Sequence, residues 1–144
     1  MLAYESDDPA WPPFTIKFAR SSDLHTWRPI PHAFLGTDRY AACPCIRYAG
    51  GWYYVLYTEH RVPRWFFETW IARSRDLVHW ELSPANPVLT PKELDDGVNT
   101  SDPDIVEWHG HTLLYYGVGD QRTWMNIKRA DFPMRLGAWL SSWF

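Results

Sequence analysis

The chain has 144 residues, 46% of them hydrophobic, and a net charge of -3 at pH 7, which suits one packed domain and excludes a disordered segment. It has no lysine or arginine cluster, so it offers no electrostatic footprint for a phosphate backbone or an anionic membrane, and neither nucleic acid nor a membrane is an expected partner. The longest apolar run, Trp52 to Tyr57, is far shorter than the roughly 20 residues of a spanning helix, and Met1 to Asp8 lack the basic and apolar regions of a secretory leader. The expectation is a soluble chain without an export address, its localisation otherwise open.

In chain order, the first strand signal is Ala3-Tyr4-Glu5, and the next ends at Ala19-Arg20. A turn centred on Ser21 to Asp23 follows, and Trp27 then opens a strand that Pro31 closes. The second stretch predicts four strands: A over about Ala42 to Tyr48, B over Trp52 to Thr58, C over about Phe66 to Ser74, and D over about Trp80 to Leu82. A third predicts a strand from Pro103, a turn at Gly110, a strand ending near Tyr116 and a strand from Trp124 to Ala130. After Pro133, the apolar residues Leu136, Trp139, Leu140 and Trp143 fall at helical spacing and predict a short amphipathic helix packing on the last unit.

These stretches are copies of one unit. Ala19-Arg20-Ser21-Ser22-Asp23-Leu24-His25-Thr26-Trp27 matches Ala72-Arg73-Ser74-Arg75-Asp76-Leu77-Val78-His79-Trp80, 53 residues later, and Trp27 and Trp80 are expected to serve as equivalent core pegs. Pro44-Cys45-Ile46, Gly51 and Tyr57 likewise match Pro103-Asp104-Ile105, Gly110 and Tyr116, 59 residues later. A four-strand antiparallel unit repeated about every 50 residues is the pattern of a propeller blade. The expected fold is therefore all-β, a partial five-bladed β-propeller of about two and a half four-stranded blades with a short C-terminal helix. Residues 1–31 form a truncated blade, 32–90 a complete one, 91–132 an incomplete one and 133–144 the helical tail. A propeller closes only as a ring, so either further blades precede this stretch or several chains assemble through exposed blade edges.

The Ser-x-Asp-Leu-x-x-Trp turn, the strand start Ser101-Asp102-Pro103-Asp104 and the Tyr-rich second strands resemble the five-bladed propeller glycoside hydrolases, as in families 32, 43 and 130. The resemblance spans nearly the whole chain but only the last blades of such a fold. It implies that the innermost strand of each blade lines a central funnel, with acidic residues near its start carrying catalysis. It also implies a carbohydrate substrate, cleaved by a base or nucleophile Asp and an acid Glu.

Carried onto this chain, Asp102 matches the Asp-Pro strand start, and Asp104 follows at i+2 on the same face of an extended strand. Glycosidic cleavage needs one ionised and one protonated carboxyl across the bond, about 5 to 9.5 Å apart, so the acid is better sought on another blade. Glu59 at the end of strand B is the first candidate, with Glu5 in a similar place one unit earlier; Glu68 in strand C is the second. Against a catalytic Asp102 stands an Asx-type cap of the Asn99 to Asp102 turn, because the equivalent residue one blade earlier is Cys43. The B-to-C loops carry Trp65 with Arg64, and Trp124 with Arg122; these and Tyr40 are candidate substrate contacts, or else pegs and surface pairs.

Cys43 and Cys45 are too close for an easy disulfide and too few for a structural zinc site, and read as buried thiols. No metal-ligand spacing or phosphate loop occurs, so neither a metal nor a cofactor is expected. The function expected is hydrolysis of a poly- or oligosaccharide. The alternatives are a carbohydrate-binding propeller without catalysis, and a phosphorylase that uses Arg61, Arg64 and Arg122 to hold phosphate.

Overall fold

A computed structural model of the chain describes every residue except Val62 and Arg64. Its strands form three antiparallel sheets. The first holds β1 (Leu2–Ser6), β2 (Thr15–Arg20) and β3 (Arg28–Leu35); the second holds β4 (Ala42–Ala49), β5 (Trp52–Arg61), β6 (Phe66–Ser74) and β7 (Glu81–Leu82). The third holds β8 (Ser101–Trp108), β9 (His111–Gly119) and β10 (Met125–Phe132). Each sheet runs in sequence order through neighbouring antiparallel strands, as the A-B-C-D reading requires, and β4 to β7 make one complete blade. The only helical turn described before Pro133 is the 3-10 turn Leu94–Asp96. This is the all-β fold of a partial propeller, with three sheets and no closed ring.

The sheets stack face to face because each strand alternates apolar residues toward both of its neighbours. Ile16, Phe18 and Leu35 of the first sheet bury against Val55, Tyr57, Ala72 and Leu77 of the second. On the second sheet's other face, Cys45, Tyr54, Leu56 and Ile71 meet Ile105 and Leu114 of the third. Helix α1 (Leu136–Ser141) brings Trp139 and Leu140 into that second cluster. The tail reaches beyond the last sheet, since the Ser83 hydroxyl donates to the Trp143 carbonyl at 2.6 Å and Arg73 lies 4.3 Å from the Phe144 ring. It thus ties the third sheet to the second, a wider role than packing on the last unit alone.

The two Ser-x-Asp-Leu turns fold alike. Asp23 Oδ1 accepts the His25 and Thr26 N–H groups at 2.9 and 2.8 Å, and Asp76 Oδ1 accepts those of Val78 and His79 at the same distances. Leu24 and Leu77 both take left-handed backbone, with φ of 62° and 67°. Their surroundings differ. Leu77 is 3% exposed because it packs on the first sheet, whereas Leu24, on the corresponding face of the first sheet, is 74% exposed. Trp80 likewise stacks on Phe18 with ring centroids 5.3 Å apart, while Trp27 has no described ring partner, so the two are not equivalent pegs.

Candidate functional site

The first strands of the second and third blades open with the same irregularity. Register shifts occur between Ala42 and Cys45 and between Ser101 and Asp104, so each strand bulges at its Cys-Pro or Asp-Pro step. Cys43 and Asp102 sit at left-handed φ values of 51° and 52°, uncommon for residues other than glycine and tolerated better by Asp than by Cys. A side chain of the preceding blade holds each bulge. The Cys43 N–H donates to the Glu5 carboxylate, and the Asp102 N–H donates to Thr58 Oγ1 at 3.0 Å. Glu5 pairs with Ile16 as Thr58 pairs with Thr69, so Glu5 is the counterpart of Thr58 and not of Glu59. The likeness of Glu5 to Glu59 expected from the sequence is one residue out of register, and alternation along a strand puts the two on opposite faces.

Around this rim the side chains converge. The Ser101 hydroxyl donates to the Asp102 carboxylate, and the Cys43 thiol lies close to Asp102 and Thr58. Burial, with Asp102 next, pushes the Cys43 thiol well above its ordinary range, so it stays protonated. Tyr40 is raised too, chiefly by burial and to a lesser degree by the carboxylates of Glu5 and Asp102. Tyr40, Cys43, Glu5 and Asp102 therefore share one site built from all three sheets. Both cysteines are free; Cys45 is buried and Cys43 half-buried.

Asp104 is drawn elsewhere. Its carboxylate accepts from Arg47 at 2.7 Å, and no described hydrogen bond joins it to Asp102. The bulge breaks the simple i, i+2 facing that would pair the two. Asp102 and Asp104 do line one hollow of about 500 Å³ with Tyr115, Gly117, Met125 and Ile127.

Glu59 lines a different hollow, of about 360 Å³, with Arg39, Tyr40, His60 and Arg61. It is buried, lies opposite Glu68 in the β5–β6 register, accepts from the Tyr57 hydroxyl at 3.2 Å and has the Arg39 guanidinium 3.9 Å away. Glu68 accepts from Thr90 Oγ1 at 2.6 Å and Trp70 Nε1 at 3.2 Å, with Arg61 at 3.6 Å. Burial raises the Glu59 carboxyl above its ordinary value of 4.5, and Arg39 opposes the rise. A carboxyl raised in the folded state contributes stability that is complete below its unfolded value and lost as pH rises through its folded one. Glu59→Gln should therefore raise the melting temperature at pH 7, and this gain should vanish as pH falls toward 4. A melting temperature lowered at pH 7 would mean that the Arg39 contact outweighs the burial.

His60 stacks on Phe67 at 4.8 Å and meets the edges of Trp65 at 5.0 Å and Tyr40 at 5.9 Å. Tyr40 and Trp65 are thus joined through His60. Trp65 is 53% exposed. Trp124 and Arg122 are exposed on a turn whose backbone N–H groups Asp120 Oδ1 accepts, at 2.9 Å from Arg122 and 3.1 Å from Trp124. Arg64 lies outside the described residues. No cluster of metal-ligating side chains occurs among the described residues, and none of their helices is long and apolar enough to cross a membrane.

No family model and no curated protein matches the chain. Solved structures do. A protein described as a glycoside hydrolase superposes with a TM-score of 0.68 at 20% identity, over 85% of this chain and 36% of its own. The Bombyx mori GH32 beta-fructofuranosidase BmSUC1 superposes with a TM-score of 0.66 at 21% identity, over 96% of this chain and 30% of its own; a mutant of that enzyme, with sucrose bound, gives 0.68. The chain thus has the fold of propeller glycoside hydrolases and spans about a third of the length of those it resembles.

Proposed function

We propose that this chain supplies the carbohydrate-binding rim of a five-bladed glycoside hydrolase, with Asp102 as its reacting carboxylate. The observation that carries this reading is the left-handed, Thr58-held bulge at Asp102, which sets a carboxylate at the joint of the second and third sheets beside Tyr40 and Glu5. Strained backbone at a non-glycine residue is held only where the surroundings over-determine it, and such positions cluster at functional sites. Asp102 serves as base or nucleophile in the scission of a glycosidic bond, and the acid comes from another blade. Glu5 is a further carboxylate at this rim, since it accepts from the N–H of Cys43, the counterpart of Asp102 one blade earlier.

Cys43 favours a second reading, a carbohydrate-binding propeller without catalysis, because the equivalent bulge one blade earlier carries a protonated thiol where a carboxylate would serve. Phosphorolysis has less support, because Arg61 is already engaged by Glu68 at 3.6 Å and lies 5.2 Å from the Trp70 ring. The test is a paired assay of a complete propeller that carries this chain against nitrophenyl furanosides and pyranosides, following both nitrophenol release and affinity. Release from one of them supports the enzyme; binding without release selects the second reading; neither release nor binding overturns both.

A further inference from the structure

The end of β5 and the loop before β4 border the hollow of about 360 Å³ lined by Arg39, Tyr40, Glu59, His60 and Arg61. Its polar walls satisfy one another only in part. Arg39 gives Nε and Nη2 to Asp38 at 2.9 and 2.8 Å, while its Nη1 stands 3.9 Å from Glu59 Oε2, close enough to pair in charge and too far to hydrogen-bond. Arg61 meets Glu68 at 3.6 Å, again beyond hydrogen-bond reach. The described hydrogen bond of the Glu59 carboxyl, from the Tyr57 hydroxyl, falls on Oε2 and leaves Oε1 unused. The Glu59 side chain is 10% exposed and that of Arg39 28%, so a ligand in the hollow can touch both. The hollow thus offers guanidinium donors and a carboxyl acceptor with capacity to spare.

This hollow and the Asp102 bulge are tied to consecutive residues of one strand. Thr58 Oγ1 accepts the Asp102 N–H at 3.0 Å, and Glu59 follows Thr58 on the opposite face of β5. Tyr40 belongs to both places, since it lines the hollow and feels the Asp102 carboxylate. Trp65 stands at the margin beside His60, their ring centroids 5.0 Å apart, with much of its indole open to solvent.

We infer that the Glu59 hollow is a second sugar subsite, which takes the ring linked to the one at Asp102, so that the substrate class is an oligosaccharide and not a glycoside of one ring. The chemistry selects a polyol. An anion is repelled by Glu59 and finds both guanidinium groups already matched in charge, by Asp38 and Glu68, while a cation is repelled by those same groups. Neighbouring hydroxyls donate to Glu59 and accept from Arg39 or Arg61, and the C–H face of the ring that carries them suits the exposed Trp65. The inference rests on the carbohydrate reading above and gives Glu59 and Arg39 a binding role in it.

The test is a calorimetric titration of a complete propeller that carries this chain, with Asp102→Asn to slow cleavage, using methyl furanosides and methyl pyranosides and the disaccharides of the same sugars. The expected result is a disaccharide that binds about tenfold or more tighter than its methyl glycoside, the scale of 1.4 kcal/mol. Glu59→Gln and Arg39→Gln should each remove most of that gain and leave the affinity for the methyl glycoside unchanged. Arg39→Gln, a loop substitution, carries the test if Glu59→Gln does not fold. A disaccharide that binds no tighter than its methyl glycoside, or a gain that survives both variants, overturns the subsite and leaves the carbohydrate reading standing. Equal losses for the two ligand classes overturn it as well, since they put Glu59 and Arg39 at the first ring or in the fold. If neither a methyl glycoside nor a disaccharide binds, both readings fail.

Discussion

In a complete propeller that carries this chain, Asp102→Asn should lower glycoside hydrolysis by a factor on the order of 100 or more, the usual size of an acid/base contribution, with sugar affinity nearly unchanged. The substitution keeps the shape and an acceptor oxygen while removing the charge. It should fold, because Asn tolerates the left-handed backbone at φ 52° as well as Asp does, and the N–H bond to Thr58 Oγ1 does not depend on the side chain. Asp102 need not be a structural cap, since the Cys43 bulge forms without a carboxylate of its own. If hydrolysis persists undiminished in Asp102→Asn, the residue shapes the strand start and the reacting carboxylate lies elsewhere.

Trp80→Ala should destabilise the chain on the order of 3 kcal/mol, while Trp27→Ala should cost less than about 1 kcal/mol, although the two tryptophans end nearly identical turns. Trp80 stacks on Phe18 across the joint between the first two sheets, and its Nε1 donates to the Leu77 carbonyl at 3.1 Å. Its loss opens a cavity between blades that buried neighbours such as Leu77 cannot fill. Trp27 is half-buried like Trp80, but it borders the face on which Leu24 is exposed and, unlike Trp80, does not pack on the buried cluster between the first two sheets. Urea unfolding of the two variants separates the cases, and equal losses would show that the turn's position in the stack does not set its energetics.

Much of the fold was legible because the repeat carried its own punctuation. The turn Ser74 to Trp80 and its copy at Ser21 fixed where the third strand ends and the fourth begins, and strand C was read to its residue at Phe66–Ser74. Strand B was read three residues short, because Glu59, His60 and Arg61 look like loop polarity yet continue the ladder opposite Phe66, Phe67 and Glu68. Arg39 offsets the burial of Glu59, Glu68 pairs with Arg61, and the His60 ring packs among aromatic neighbours.

The site was less legible. Asp102 and Tyr40 were picked out and lie together, but the pairing of Asp102 with Asp104 assumed an even strand, and a bulge cannot be read from alternation alone. One signal was present and unused: the Cys-Pro and Asp-Pro steps recur at the same place in two units, as a repeated bulge would require.

The account stands or falls on where a sugar sits. The direct measurement is a crystal structure of the chain soaked with whichever methyl glycoside it binds. The prediction is a sugar ring against the Asp102 bulge, in the hollow that Asp102 lines with Tyr115 and Met125. A ring seated instead on the exposed Trp65 or Trp124 loops, with the Asp102 rim empty, would contradict it.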